Sequence, residues 1–70
     1  MKQEYTAIIK KTGAWWIGWI EEIPGVNGQE RTRVALLESL RVTLSEALDL
    51  NRSEAVAAAG AGYRVETIAI

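Results

Sequence analysis

The pattern of apolar and polar positions begins with two strand-like runs separated by a turn. Residues 4–10 and 14–20 are rich in β-branched and aromatic side chains, which favour extended backbone. Lys11–Ala14 lies between the two runs and contains a glycine that suits a tight turn. We therefore predict a β-hairpin with Thr12–Gly13 as its two-residue loop.

This pairing gives the hairpin two faces of different character. The first face is apolar, and we assign it to the core: Tyr5, Ala7, Ile9, Trp16, Gly18 and Ile20. On the second face Trp15, Ile17 and Trp19 occupy alternate positions, with Ile8 on the opposing strand. A contiguous apolar stripe of this kind is typical of association surfaces. We predict that this second face contacts a partner or another subunit; burial under the chain's own C-terminal segment is the alternative.

A helical period replaces the strand period from Thr32 onward. Apolar side chains then fall within one arc of a helix: Leu36, Leu37, Leu40, Leu44, Ala47 and Leu48. We predict one main helix over about residues 32–50, with Thr32 as its N-cap and Asn51 as its stop. A short second helix is predicted over residues 54–59, before Gly60–Gly62 ends it.

Two further segments complete the predicted sheet. Pro24–Gly25 stops the second strand, and residues 26–31 are predicted to form a brief third strand at the sheet edge. Residues 63–70 alternate and end with Ile68 and Ile70, so we expect them to pair within a sheet, either the chain's own or a partner's. Both isoleucines therefore join the predicted interface.

The predicted fold class is α+β with the order β-β-β-α-β. It consists of a three-stranded antiparallel sheet, a C-terminal strand parallel to the first strand, and the main helix packed on one face. A chain of 70 residues forms one domain with a thin core, and it contains neither cysteine nor histidine. Because disulfides and thiolate zinc sites are excluded, we expect oligomerisation, as a homodimer or homotetramer, to supply the missing stability.

Charge and hydropathy narrow the classes of partner. The formal net charge is −1 and the basic residues are scattered, which disfavours direct DNA binding. Every apolar run is too short to span a bilayer, and the N-terminus lacks the apolar region of a signal peptide. We therefore expect a cytoplasmic protein without a membrane partner.

The candidate catalytic groups do not form a recognisable site. Glu21 and Glu22 are adjacent in a strand, so their side chains point to opposite faces. Glu46 and Asp49 have helical spacing, but two carboxylates alone seldom hold a cation. Gly60–Gly62 follows a helix, whereas a phosphate-binding loop precedes one. We predict no catalytic residue, no metal ligand and no cofactor, and hence no enzyme; a vestigial hydrolase binding metal at Glu22, Glu46 or Asp49 is the alternative.

Several of these segments occur together in one known family. The opening strand Tyr5–Ile9 and the aromatic second strand are followed by Glu22-Ile23-Pro24-Gly25, then by Asn27–Gln29 and by Thr32–Arg33 at the helix start. This order resembles the HicB-like antitoxin family over roughly residues 4 to 50. The acidic-Ile-Pro-Gly turn followed by the Thr-Arg helix start is the most specific part of the resemblance.

The resemblance implies a partial ribonuclease-H-like fold, in agreement with the β-β-β-α-β order. It also implies that the chain neutralises a HicA-type mRNA-cleaving toxin by protein–protein contact, as the antitoxin of a type II toxin–antitoxin system. Because the residues after Leu50 are too few for the DNA-binding module that many members append, we expect a single HicB-like domain over residues 1–70. An orphan oligomeric member and a small single-stranded nucleic-acid-binding module are the alternatives.

Overall fold

A computed structural model describes residues 4–70 of the chain. It contains the strands β1 (Ala7–Thr12), β2 (Trp15–Ile20) and β3 (Asn27–Glu30), followed by the helix α1 (Arg33–Ala59). The strands form an antiparallel sheet in the order β1-β2-β3, and α1 packs on one face of it. The predicted α+β class, the three antiparallel strands and the helix that follows them are thereby confirmed.

The hairpin turn lies one residue later than predicted. Thr12 pairs with Trp15 and Ile9 pairs with Gly18, so the two-residue loop is Gly13–Ala14 and the predicted Thr12–Gly13 loop is wrong. Gly13 has a φ of 60°, and tight hairpin turns require a positive φ at their first central position. Moving the loop by one residue moves the partner of each β1 residue by two positions along β2. Each side chain keeps its predicted face, because side chains alternate with a period of two.

The core lies between the sheet and the first half of α1. Its buried members are Ile20, Val26, Leu36 and Leu40. Partly buried side chains pack around them: Tyr5, Ala7, Ile9, Trp16, Ile23, Leu44 and Ala47. The hairpin face that the sequence assigns to the core therefore does face the helix.

Both ends of α1 have identifiable caps. Thr32 is the N-cap, as predicted, and its side-chain oxygen accepts a hydrogen bond from the backbone N–H of Ala35 at 3.1 Å. The predicted stop at Asn51 is wrong, because α1 continues to Ala59 and includes the predicted second helix. Asn51 is a weak helix former but can be accommodated, and the alanines after it favour helix. Gly60, with a φ of 72°, supplies the actual end.

The second half of α1 projects beyond the sheet. The helix has 27 residues, which corresponds to a length of about 40 Å. Leu36, Leu40, Leu44 and Ala47 contact the core, whereas residues 48–59 extend past it. The radius of gyration is 15.2 Å, compared with about 11 Å for a compact domain of this length. The described part of the chain is therefore far from spherical.

The predicted fourth strand is not observed. Within residues 4–70 the sheet has only β1, β2 and β3, and residues 60–70 are exposed and outside any helix or strand. We call residues 61–70 the arm. The helix is longer than predicted, so the arm begins about 18 Å beyond the last core contact, at 1.5 Å per helical residue. This displacement separates the arm from β1, beside which the strand was predicted.

Candidate interaction surface

The sheet face opposite α1 carries the apolar stripe that the sequence predicts. We call it the outer face; its side chains are Ile8, Lys10, Trp15, Ile17, Trp19, Asn27 and Gln29. Trp19 lies between Ile8 on β1 and Asn27 on β3, and Ile17 lies between Lys10 and Gln29. Trp15 is 36% exposed, Ile8 is 37% exposed and Trp19 is 42% exposed. Large apolar side chains thus form a band along the central strand β2, and polar side chains on β1 and β3 flank it.

The structure brings together four of the six predicted interface residues. Four of them share the outer face: Ile8, Trp15, Ile17 and Trp19. The alternation of side chains along each strand is enough to place them there. Ile68 and Ile70 lie in the arm, where their side chains are exposed and contribute nothing to this band. The interface role of all six residues stays a prediction, but their placement divides them into two separate surfaces.

The side chain of Arg31 lies on one end of the apolar band. The guanidinium carbon of Arg31 lies 4.1 Å from the centroid of the Trp15 ring, a cation–π arrangement. Lys10 and Lys11 are the cations that sequence proximity in the hairpin places nearest Trp15, and Arg31 is missed by that reasoning. The available signal was the alternation of β3, which places Arg31 on the same side as Gln29. One face of the Trp15 indole is therefore occupied within the molecule.

The turn motif Glu22-Ile23-Pro24-Gly25 has a structural role. The Glu22 carboxylate accepts a hydrogen bond from the Thr6 backbone N–H at 2.8 Å and another from the Thr6 hydroxyl at 2.7 Å. The side chain of Ile23 packs against the core, and Gly25 has a φ of 86°. The motif therefore fastens the β2–β3 connection to the chain entering β1. These hydrogen bonds, the backbone one foremost, lower the pKa of Glu22 below its ordinary value of 4.5.

Replacing Glu22 with glutamine is expected to reduce the acid sensitivity of the fold. A carboxyl whose pKa is lowered by folding adds stability above its unfolded pKa of 4.5, and that stability is lost as pH falls through the lower folded pKa. E22Q should therefore melt at a lower temperature than the wild type at pH 7, and the difference should shrink below pH 4.5. Thermal denaturation at pH 7 and pH 3 measures this. E21Q, at the adjacent exposed carboxylate, is the control; an equal pH dependence in both variants would contradict the assignment.

The carboxylates considered for metal binding do not converge. Both Glu22 oxygens are hydrogen-bonded to Thr6, while Glu46 and Asp49 are exposed on α1. Across residues 4–70, no group of three or more aspartates and glutamates is arranged to hold a metal ion.

A cavity of about 420 Å³ lies elsewhere, between the last turns of α1 and Tyr63–Glu66. Among the described residues 4–70, no helix has the length and apolarity needed to cross a membrane.

Comparison of the chain with protein-family models, with characterised proteins and with solved structures found no match in any of the three. The surfaces of the chain itself are therefore what indicate a function. Of these, the outer face has the largest aromatic content, since it presents two of the three tryptophans.

Proposed function

We propose that this chain is a protein-binding module that acts as a HicB-like antitoxin and neutralises a HicA-type mRNA-cleaving toxin. The observation that carries the proposal is the outer face, where Trp15, Ile17 and Trp19 form an apolar band on a sheet whose other face is already covered by α1. The turn motif and the Thr32 helix start, which the resemblance emphasises, support it by defining the scaffold that presents this band.

The composition of the outer face suits a protein partner. Protein interfaces combine an apolar, aromatic centre with a polar rim, and tryptophan is prominent among the residues that dominate binding energy. Trp19 lies between Ile8 and Asn27, with Gln29 and Lys10 at the neighbouring positions. The arrangement therefore has the apolar centre and the hydrogen-bonding margin of a docking surface.

Charge directs the contact to a particular part of the toxin. Lys10 and Arg31 lie toward one end of the outer face, so this end would repel the basic RNA-binding surface of a HicA-type toxin. We place the contact on an apolar or acidic surface of the toxin, with inhibition arising because the bound antitoxin obstructs access of mRNA. The net charge of −1 is too small to direct binding by itself.

Single-stranded nucleic acid fits the outer face less well. Base stacking needs free aromatic faces and several nearby phosphate-binding cations. Arg31 already lies on the Trp15 ring, and the strands contribute only Lys10 as a cation to the band. A protein partner therefore accounts for more of the surface. Strong, salt-dependent quenching of tryptophan fluorescence by a single-stranded oligonucleotide would favour the nucleic-acid function instead.

Substitution of Trp19 tests the proposed contact. The full chain, co-expressed with a HicA-type toxin encoded beside its own gene, should relieve growth arrest, and W19S should bind that toxin at least about tenfold more weakly because an interface anchor is lost. Isothermal titration with purified toxin, inactivated by substitution so that it can be produced alone, measures the affinity. Circular dichroism establishes that W19S is folded.

Val42→Ser is the matched control, because Val42 and Trp19 are both 42% exposed but Val42 lies on α1. V42S should retain the wild-type affinity. Absence of an adjacent toxin gene, failure of the wild type to relieve growth arrest, or equal losses in W19S and V42S would each reject the proposal.

A further inference from the structure

The arm leaves four large apolar side chains exposed. Its exposed large apolar side chains are Tyr63 at 49%, Val65 at 64%, Ile68 at 87% and Ile70 at 124%. These residues belong to a segment with the composition and alternation of a strand. Within residues 4–70, however, no strand pairs with it. The arm is therefore a strand-like segment that no strand of the described fold pairs with.

The direction of the arm turns it away from its own sheet. Leu36, Leu40, Leu44 and Ala47 mark the side of α1 that contacts the core. Tyr63 and its neighbours approach a different row, formed by Arg52, Ala55, Val56 and Ala59. At 100° per residue the two rows face directions roughly 115° apart. The beginning of the arm thus runs along a side of the helix that the sheet does not occupy.

The distance between the arm and its own sheet also opposes pairing within one chain. Residues 48–59 carry the arm about 18 Å beyond the last core contact. A return over that distance in extended conformation consumes five or six residues, at about 3.3 Å each. Residues 61–66 would then serve as the connection back to the sheet, so the Tyr63–Glu66 part of the alternating segment could not pair.

Strand β1 supplies a suitable acceptor on a second molecule. It is an edge strand of six residues, and within the described sheet it is paired only with β2. Unpaired backbone N–H and C=O groups on such an edge readily accept another strand. The segment 63–70 contains one anion, Glu66, and one cation, Arg64, so Lys10 and Lys11 on β1 do not repel it as a whole. Strand β3 has only four residues and leads directly into the helix cap.

We propose that two copies of this chain form a reciprocal dimer in which the arm of each copy pairs with the β1 edge of the other. Each sheet thereby gains the fourth strand that the sequence predicts, and the two contacts are equivalent, as a two-fold dimer requires. The projecting half of α1 spans the gap between the two sheets. Pairing at the β1 edge leaves the outer face available, so the dimer does not depend on the proposed toxin contact.

Oligomeric state in solution gives the first test. Light scattering of the full chain over a series of micromolar concentrations should give twice the 7.7 kDa mass of one chain. Ile68→Lys introduces a charge that repels Lys10 and Lys11, and it should raise the dimer dissociation constant at least about tenfold, since lysine is effective in blocking edge pairing. Val34→Lys is the control, because Val34 is 73% exposed at the start of α1.

Crosslinking between two singly labelled chains locates the contact. The native chain has no cysteine, so K10C and T67C can be prepared separately, mixed, and treated with a short bismaleimide. A crosslinked heterodimer should form from K10C with T67C, and its yield should be markedly lower from D49C with T67C. A monomeric wild type, a dimer unaffected by I68K, or equal crosslinking to D49C would overturn the proposal. The two proposals can fail separately: I68K should retain toxin binding, and W19S should remain dimeric.

Discussion

Replacing Leu36 with alanine is expected to lower the free energy of unfolding by about 2 to 5 kcal/mol, the range for deletion of a buried leucine side chain. Leu36 is 0% exposed and lies where α1 crosses β2 and β3. The loss combines the removed apolar contacts with a cavity that a small core can close only partly. A domain of this length has a total stability of roughly 3.5 to 10 kcal/mol. The loss is therefore a large fraction of the total, and L36A should unfold at a clearly lower urea concentration than the wild type.

Urea denaturation followed by circular dichroism and tryptophan fluorescence measures this loss. Protein concentration is held constant, because association with a second copy would otherwise change the apparent stability. Leu50→Ala is the matched control: Leu50 is 57% exposed on the projecting half of α1. It should change stability by less than about 0.5 kcal/mol, as surface substitutions generally do. Similar losses in L36A and L50A would show that the core is not at the contact between the sheet and the first half of α1.

Replacing Gly18 with alanine is expected to cost about 1 to 3 kcal/mol, the usual penalty for adding atoms to a packed interior. A Cβ at this position would lie 2.8 Å from the carbonyl oxygen of Ile8 and 2.8 Å from Cγ2 of Ile9. The first of these atoms belongs to the backbone of β1 and cannot rotate away. The hairpin must therefore shift or the strands must separate locally. Chemical denaturation measures the cost.

Gly28→Ala distinguishes steric crowding from the general effect of removing a strand glycine. Gly28 is the β3 residue opposite Gly18, and its added Cβ would lie 3.3 Å from Cδ1 of Leu36, the mobile end of a side chain. G28A should change stability by less than about 1 kcal/mol, because the reduced backbone freedom of the unfolded state offsets a small adjustment of Leu36. Equal losses in G18A and G28A would indicate that close backbone approach at Gly18 is not the cause.

The two proposed contacts differ in how far their surfaces are organised before binding. The outer face presents side chains from the rigid central strand, so its band of Trp15, Ile17 and Trp19 is already organised before a partner binds. The arm has no pairing within the described fold, and it must be ordered by whatever it joins. Recognition on the outer face is therefore expected to persist at dilutions that dissociate a dimer formed through the arm.

Local patterns predicted much of the fold. The period of two in the hairpin correctly separates the core face from the outer face, and this holds even though the loop prediction was displaced by one residue. Thr32 has the short polar side chain that satisfies a free N–H at a helix start, and the structure confirms it as the N-cap. These features depend on residues close together in sequence, or on strand alternation, which is insensitive to an even shift in register.

The sequence by itself therefore determined the three strands, the helix start, the core face and the composition of the outer face. Only the tertiary structure decided that α1 runs on to Ala59, that Arg31 lies on Trp15, and that Glu22 binds Thr6. It also decided that the arm stands apart from its own sheet. Each of these depends on where distant segments meet in space or on how far a helix carries the chain. Residue type and spacing do not specify such distances, because a strand-like segment can pair with any open edge that it can reach.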